Sequence, residues 1–377
     1  MRAIDAGRMP LLELAGRVWE ALTRRVDNFL FGCALALVGV GLVTLFSATD
    51  QSAARVTSQL ASLGFALVLM WVVANIPPQT LARAAVPLYV VGVLLLVGVA
   101  LFGVVVNGSR RWLSLGVVRI QPSELMKIAL PLMLAWYFQK FEGRIGWQDF
   151  VVAAVLIVVP VYLIKRQPDL GTALLIAASG FYVLFLAGLS WKVIVGLVAA
   201  AGAAAPLIWP YMHGYQRERI LSFLDPSRDP LGAGYHSTQA SIAIGSGGVI
   251  GKGWLNGTQT HLDFLPERHT DFIFAVFGEE FGLIGNAILL LLYMLLIGRA
   301  MVITANASTL FARLMAGAVT LMFFTYVFVN MGMVSGLLPV VGVPLPLVSY
   351  GGTALVSLFI GLGILMSVQA HRKLVNT

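Results

Sequence analysis

Long apolar runs separated by short polar segments dominate the chain. Residues 85–106, for example, carry no charged side chain over 22 positions. A run of about 20 apolar residues is long enough to cross the hydrocarbon core of a bilayer. A chain that crosses a bilayer must satisfy its backbone hydrogen bonds within each segment, which favours helices. The pattern therefore predicts an all-α integral membrane protein.

The hydropathy pattern predicts ten membrane helices in one domain that spans residues 29–370. The predicted intervals are 29–47, 58–76, 85–106, 123–138, 150–164, 170–189, 192–209, 271–297, 311–338 and 345–369. No low-complexity linker marks a second domain. Residues 1–28 are predicted to form a cytoplasmic N-terminal segment, and residues 371–377 a cytoplasmic tail.

The composition and the distribution of charge agree with this class of protein. Hydrophobic residues make up 59% of the chain and charged residues only 11%, whereas soluble domains carry about 25% charged residues. The net charge of +8 does not indicate a nucleic-acid partner, because five arginines precede the first apolar run. With the N-terminus inside, thirteen basic residues fall on inner segments and six in the short outer loops. This asymmetry predicts that both termini are cytoplasmic.

Two predicted outer segments are too unusual to be simple connections. Residues 107–120 carry three arginines on the side of the membrane that normally lacks them. Residues 210–270 are far longer than a connection requires, and their recurring apolar side chains argue against disorder. Within them, residues 216–224 mix charged and apolar side chains as an interfacial helix would. We therefore predict a large ordered outer loop between the seventh and eighth helices.

Ionisable residues near the predicted helix ends are the candidates for chemistry, since each is costly in a membrane unless it is paired or hydrated. Glu124 and Lys127 lie on one helix face, either as a structural ion pair or as a polar site for a phosphate. Asp169 and Asp271 begin predicted helices, where a carboxylate stabilises a helix N-terminus. Thr270 is a plausible N-cap for the second of these helices.

Other sequence features narrow the chemistry. Glu279 and Glu280 lie about 80° and 180° around the helix from Asp271, so at least one of them should pair elsewhere. Residues 246–253 imitate a phosphate-binding loop but lack its first glycine and its Ser or Thr, and their glycines are better explained by tight turns. Neither an HExxH zinc motif nor a GxSxG nucleophile motif occurs. Residue types and spacing alone leave a transporter, a flippase and an enzyme open.

Several motifs resemble those of the SEDS family, the shape, elongation, division and sporulation proteins. They are G-S-R-R-W-L (108–113), Q-P-S-E-L-M-K (121–127), Q-P-D-L-G-T (167–172), D-P-L-G-A-G-Y-H (229–236), I-A-I-G-S-G-G (242–248), G-K-G-W-L-N-G-T-Q (251–259), L-P-E-R-H-T-D-F-I-F-A-V (265–276) and G-V-P-L-P-L-V-S-Y-G-G (342–352). They occur in the family's order, and the ten-helix layout agrees with it. The arginine at position 268 resembles the elongation branch of the family, since the division branch commonly has a small residue there.

The resemblance implies a processive, inverting peptidoglycan glycosyltransferase in the bacterial plasma (inner) membrane, with its site on the periplasmic side. Its substrate would be lipid II. Its partners would be a class B penicillin-binding protein and the elongation machinery, including Mre proteins. The resemblance implies no organic cofactor.

The family places the catalytic carboxylate at Asp271. The residues assigned to substrate binding are Arg110, Arg111, Glu124, Lys127, Asp169, Glu267 and His269. Arg110, Arg111, Lys127 or a divalent cation, magnesium or manganese, would neutralise the leaving diphosphate. The alternatives are a lipid II flippase and a non-catalytic scaffold of the elongation machinery.

Overall fold

A computed structural model describes residues 25–106, 109–114, 119–167, 169–212, 214–225, 233–261 and 267–372. Most of the predicted N-terminal segment 1–28 and of the predicted tail 371–377 lies outside the described residues. So do parts of four motifs, at residues 108, 168, 229–232 and 265–266.

Thirteen α-helices and three short strands make up the described part of the chain. The helices are α1 (Asn28–Ala48), α2 (Ala53–Asn75), α3 (Pro78–Phe102), α4 (Pro122–Lys140), α5 (Trp147–Lys165), α6 (Leu170–Leu186), α7 (Trp191–Ile208), α8 (Gly214–Leu224), α9 (Ala233–Ser246), α10 (Thr258–His261), α11 (Ile273–Ala305), α12 (Leu310–Val334) and α13 (Gly352–Ala370). The strands are β1 (Val104–Val106), β2 (Ser109–Ser114) and β3 (Arg119–Ile120).

Eight of the described helices are long and apolar enough to cross a membrane: α1, α2, α3, α5, α7, α11, α12 and α13. The apolar helix α6 is shorter, and α4, which carries the Glu124–Lys127 pair, is not among the eight. A helix occupies each of the ten predicted intervals. The protein is therefore a helical membrane protein, while the count of ten crossings stays a prediction.

The predicted limits of the last three membrane helices were wrong. α12 ends at Val334 and α13 begins only at Gly352, so residues 335–351 form one non-helical segment. Helix was predicted at 335–338 and 345–351, on either side of a shorter break. Three prolines at positions 339, 344 and 346 break up the segment, since proline donates no backbone hydrogen bond. Gly336 and Gly342 adopt positive φ angles of 74° and 78° in it. α11 starts at Ile273, two residues later than predicted.

A small antiparallel sheet at residues 104–120 was not predicted. β2 pairs with β1 and with β3, in the order β1-β2-β3. The valines of β1 continue the apolar run of α3, and the sequence therefore read as helix up to residue 106. Gly103 ends α3 in an extended conformation and turns the chain into the sheet.

The helices differ greatly in how much of their surface other parts of the chain cover. α12 and α13 form the centre of the molecule. In the most apolar 18-residue stretch of each, 67% and 61% of the residues are buried. The corresponding share of α7 is only 6%, so the described part of the chain leaves nearly the whole surface of this helix uncovered.

α11 contains a break that the sequence pattern did not reveal. Gly282 has φ 64° and ψ −161° inside the helix, which frees the carbonyls before it and the amides after it. Residues 247–257, here called the wedge loop, bond these groups. The amides of Lys252 and Gly253 donate to the carbonyls of Glu279 and Glu280, each at 3.0 Å. In the other direction, the amides of residues 283 and 284 donate to the carbonyls of residues 248 and 249.

The predicted outer loop 210–270 contains α8, α9, α10 and the wedge loop in its described part. The helix predicted at 216–224 corresponds to α8, although its position relative to the membrane stays a prediction. The glycines of the phosphate-loop imitation do form turns, with positive φ at Gly248, Gly251 and Gly253.

Candidate active site

Asp271 lies in a turn that immediately precedes α11. Residues 267–272 form this turn, and Glu267 begins it at a φ of 50°. Thr270 is not the N-cap that the sequence suggested, because the cap position belongs to Phe272. The Thr270 hydroxyl instead donates to the side chain of Glu267 at 3.0 Å. Asp271 is thus outside the helix and is not required to cap it.

The non-helical segment 335–351 fixes the backbone around Asp271. The side-chain amide of Asn330 donates to the carbonyls of Asp271 and Val343, at 2.8 and 2.7 Å. The Ser349 hydroxyl donates to the carbonyl of Thr270 at 2.6 Å. One further bond joins the amide of residue 350 to the carbonyl of residue 269 at 2.9 Å. The turn and the segment therefore form one bonded unit on the end of α12.

The carboxylate of Asp271 faces Gly342 in this unit. A Cβ placed on Gly342 would lie 3.3 Å from Oδ2 of Asp271, so glycine leaves space on that side of the carboxylate. No hydrogen bond reaches the carboxylate from the residues that the structure describes. Burial, and secondarily the charge of Glu267, raise the pKa of Asp271 to about 6, although the nearby charge of Arg219 acts in the opposite direction.

Glu267 and His269, two predicted substrate-binding residues, flank Asp271 in the same turn. Glu267 is exposed and acts on Asp271 through its charge. The ring centroid of His269 lies 5.9 Å from that of Tyr350. Burial and the charge of Arg55 hold the pKa of His269 below its usual value. An ion pair between Arg268 and Asp50 ties the turn to the α1–α2 connection.

Arg111 and Asp169 form an ion pair of 3.5 Å between β2 and the start of α6. Asp169 also caps α6, since it accepts a bond of 3.1 Å from the amide of Thr172. Gly171 packs closely against the carbonyl of Val341, the residue before Gly342. The pair therefore lies at the same end of the molecule as Asp271, beside the segment 335–351. The predicted capping role of Asp169 is confirmed.

Arg110 points away from this pair. Its guanidinium donates to the carbonyl of Ala100 at 3.4 Å, and its side chain packs against Gly103. Of the three predicted substrate-binding residues of this region, Arg111 and Asp169 form a partly buried ion pair. Arg110 is exposed and lies near the end of α3.

Glu124 and Lys127 form an ion pair of 2.6 Å on α4. The second carboxylate oxygen of Glu124 accepts a bond of 2.7 Å from the Ser357 hydroxyl. Lys127 also lies 5.2 Å from the ring centre of Tyr326 on α12. The pair thus joins α4, α12 and α13.

An open groove runs from this ion pair along α4, α12 and α13. Lys127 and Ser357 are the polar residues among its lining. The others are Ile128, Pro131, Val319, Met322, Phe323, Tyr326, Leu358 and Gly361. The groove therefore has a charged mouth and an apolar interior.

Arg219 on α8 was not predicted as a site residue, yet its charge acts on Asp271. Its guanidinium donates a long bond of 3.5 Å to the carbonyl of Val341. The signal for Arg219 in the sequence is weak, since it is one of several charged residues in an amphipathic segment. Only the fold brings α8 next to the segment 335–351.

Glu279 and Glu280 take no part in this site, as the helix geometry predicted for at least one of them. Both are buried in α11. Glu279 accepts bonds of 2.7 and 3.1 Å from Lys252 and the Thr258 hydroxyl. Glu280 accepts bonds from the Ser47 hydroxyl and from the amide of Leu255. The two carboxylates hold the wedge loop to α11.

The described residues include no cluster of three or more Asp, Glu, His or Cys side chains that could hold a metal ion. Magnesium is often bound by one or two carboxylates together with substrate phosphates. The described residues around Asp271 could hold a metal ion only in this way, with the substrate phosphates as most of its ligands.

Comparison with known proteins gives a consistent family. The model of the cell cycle protein family of FtsW, RodA and SpoVE matches residues 27–374. Peptidoglycan glycosyltransferase MrdB of Escherichia coli K12 is 52% identical over 359 residues, which cover 95% of this chain and 96% of the relative. A probable peptidoglycan glycosyltransferase FtsW of Coxiella burnetii is 35% identical and covers 91% and 95% of the two chains.

Two solved structures share the fold. A chain from a peptidoglycan synthase complex, described for its coordination of polymerization and crosslinking, matches with a TM-score of 0.81 and 35% identity, over 93% of this chain and 99% of that one. The rod shape determining protein RodA of Thermus thermophilus matches with a TM-score of 0.70 and 32% identity, over 92% and 97%. These likenesses agree with the predicted elongation branch.

Proposed function

Because this chain belongs to the FtsW, RodA and SpoVE family of cell cycle proteins, we propose that it is a peptidoglycan glycosyltransferase that polymerises lipid II into β-1,4-linked glycan strands for cell elongation. The observation that carries the proposal is the carboxylate of Asp271. It is partly buried beside Gly342, it has no hydrogen-bond donor among the described residues, and burial raises its pKa to about 6.

Asp271 is suited to act as the general base. It takes the proton from the 4-hydroxyl of the acceptor sugar as that oxygen attacks the anomeric carbon of the donor. The bond between that carbon and the diphosphate oxygen breaks, and the polyprenyl diphosphate leaves. An α-linked donor that yields a β-link requires inversion, hence one displacement. A base with a pKa near 6 is mostly ionised at neutral pH and still accepts a proton effectively.

The groove next to Lys127 suits the lipid part of the substrate. A polyprenyl chain is apolar and stays in the bilayer, whereas its diphosphate remains at the interface. The groove offers apolar walls below and a cation at its mouth. Glu124 then holds Lys127 and Asp169 holds Arg111, so these two carboxylates position cations rather than touch the reacting atoms.

We propose that the protein lies in the bacterial inner membrane with both termini in the cytoplasm and Asp271 on the periplasmic side. The partner would be a class B penicillin-binding protein that crosslinks the new strands, within the elongation machinery that includes Mre proteins. The likeness to a chain of a peptidoglycan synthase complex supports such a partner. No organic cofactor is proposed, and a magnesium or manganese ion would arrive with the diphosphate.

The main alternative is a flippase for the same lipid. Transporters commonly place their sites at broken helices near the bilayer midplane, and α11 is broken at Gly282. The wedge loop, however, bonds the freed backbone groups on both sides of the break. Glu279 and Glu280 are likewise bonded to that loop. The break therefore offers no open polar site within the described residues, which favours the enzyme.

One assay separates the enzyme from a flippase and from a scaffold. The purified protein and its penicillin-binding partner are mixed with lipid II, while penicillin blocks crosslinking. Glycan strands that lengthen with time support the enzyme. Transfer of lipid II across vesicles without strand formation supports the flippase. Assembly of the complex with neither activity supports the scaffold.

A further inference from the structure

Arg219 is a basic side chain whose charge acts on the candidate base. Within the described part of the chain, its one hydrogen bond is the 3.5 Å contact with the carbonyl of Val341, at the long limit for such a bond. Among the residues that the structure describes, none of the acidic side chains lies within ion-pair distance of it. Most donors of its guanidinium fork are thus available for a ligand.

The other candidate cations of the site are already paired with carboxylates. Arg111 is paired with Asp169 at 3.5 Å, and Lys127 with Glu124 at 2.6 Å. Each carboxylate offsets the positive charge that a phosphate would otherwise meet. Moreover, the charged groups that influence Asp271 are Glu267 and Arg219, not Arg111 or Lys127. Of these three cations, Arg219 is therefore the one whose charge influences the carboxylate of Asp271.

A small pocket adjoins Arg219 between α8, α9 and the segment 335–351. It is lined by Arg219, Ser222, Phe223, Ser237, Leu338, Pro339 and Val340. Its free space, about 10 Å³, holds about one water molecule, so a phosphate would meet these side chains at the opening of the pocket and not inside it. Ser222 is buried and already has a partner, whereas the guanidinium of Arg219 and the hydroxyl of Ser237 can donate to phosphate oxygens.

The segment 335–351 connects the pocket with the base. Val341 accepts the bond from Arg219, and Gly342, the next residue, lies against the carboxylate of Asp271. In an inverting displacement at the anomeric carbon, the base acts on the incoming oxygen and the diphosphate departs from the opposite face of the same carbon. A group that stabilises the departing charge must therefore lie across the sugar from the base, in the same site.

We propose that Arg219, with the hydroxyl of Ser237, forms the subsite that binds the diphosphate of the polyprenyl-linked sugar donor. This inference rests on the proposed function for its substrate. It replaces Arg110, Arg111 and Lys127 as the first choice for neutralising the leaving group. Lys127 then remains available at the mouth of the lipid groove.

Binding of farnesyl diphosphate and farnesyl monophosphate, measured by calorimetry on the purified protein in detergent, tests the subsite without turnover. Charge-assisted bonds to a phosphate correspond to about a tenfold or larger change in affinity. We expect Arg219→Gln to weaken diphosphate binding by that factor and monophosphate binding less. Arg219→Lys should recover part of the loss, since it keeps the charge but not the fork.

Arg217→Gln is the matched control, because Arg217 lies on the same helix but donates to the carbonyl of Pro210. It should leave both affinities unchanged. Equal diphosphate affinity in the wild type and in Arg219→Gln would overturn the subsite, as would equal losses in the two arginine variants. If Arg219→Gln fails to fold, Ser237→Ala gives the same test through a smaller selective loss, and an unchanged affinity there counts against the subsite.

The outcome is separable from that of the proposed function. A protein that forms no glycan strands but shows the selective loss keeps the subsite and loses the polymerase. A protein that polymerises lipid II but binds the diphosphate equally well without Arg219 keeps the polymerase and loses the subsite.

Discussion

Asp271 differs in its bonding from the acidic residues around it. Glu124 is bonded to Lys127 and Ser357, Asp169 to Arg111 and its own helix, and Glu279 to Lys252. These carboxylates hold structure together, and their negative charge is already compensated. The carboxylate of Asp271 receives no such bond from the described residues, so it can accept a proton without the loss of a structural contact.

The pH dependence of polymerisation should report this carboxylate. Because the base must be ionised, the rate should rise with pH and level off above about pH 6, the pKa of Asp271. Glu267→Gln removes a negative neighbour and should move the rise to lower pH. Arg219→Gln removes a positive neighbour and should move it to higher pH. The measurement is kcat/KM for lipid II at several pH values.

His269 is the other group that could titrate in this range. Its pKa responds to Arg55, Glu267 and Arg268 and not to Arg219, so a shift in Arg219→Gln assigns the rise to Asp271. The exposed Glu142, at the opposite end of α4, supplies the control variant Glu142→Gln, which should leave the profile unchanged. A profile that ignores both Glu267 and Arg219 would contradict the assignment.

The break in α11 lies between the turn with Asp271 and the longer part of that helix. Two turns of helix separate the turn 267–272 from Gly282, and the wedge loop clamps both sides of the break. Gly282 and Gly251 lie where α11 and the wedge loop approach each other most closely. A Cβ on Gly251 would collide with the backbone of α11, and a Cβ on Gly282 with the backbone of the wedge loop. The positive φ angles of both residues also favour glycine.

Gly282→Ala should therefore destabilise the protein and impair polymerisation together. The unfavourable backbone conformation alone costs about 1–3 kcal/mol, and the collision adds to it. Thermal unfolding in detergent, followed by fluorescence, measures the first effect, and strand synthesis the second. Gly64→Ala is the control, because nothing lies within 4 Å of a Cβ at that helical position. A fully stable and active Gly282→Ala protein would show that the wedge contact is dispensable.

The sequence predicted the elements that follow from hydropathy and missed those that depend on tertiary contact. Every predicted helix interval contains a helix, because apolar length alone determines a membrane helix. The break at Gly282 gave no signal, since glycine is frequent in membrane helices. β1 was missed because its valines suit a helix and a strand alike in an apolar run. Asp271 was located through a motif, whereas Arg219 required the packing of α8 on the segment 335–351.

The molecule as a whole has two chemically different ends. One end holds the sheet, α8 to α10 and the turn with Asp271, linked by the Arg111–Asp169 and Arg268–Asp50 pairs. The other holds the Asp27–Arg299 pair and short connections such as residues 141–146. The excess of basic residues on the second end predicts that it faces the cytoplasm.

Cysteine labelling in intact cells tests this orientation. In a Cys33→Ser background, which removes the one native thiol, Asn256→Cys and Glu142→Cys place single thiols at exposed positions on opposite ends. A membrane-impermeant maleimide should label position 256 in spheroplasts and position 142 only after lysis. The reverse pattern would put Asp271 on the cytoplasmic side and remove it from its substrate.

The most direct measurement compares glycan-strand synthesis by the wild-type protein and by Asp271→Asn, each in complex with its penicillin-binding partner and with matched thermal unfolding midpoints. The amide keeps the shape of the side chain but cannot take the proton. Loss of a general base lowers a rate by about 10²–10⁴-fold, and we expect a loss of at least that order with the affinity for lipid II retained. Strand synthesis at the wild-type rate by a folded Asp271→Asn complex would contradict the account.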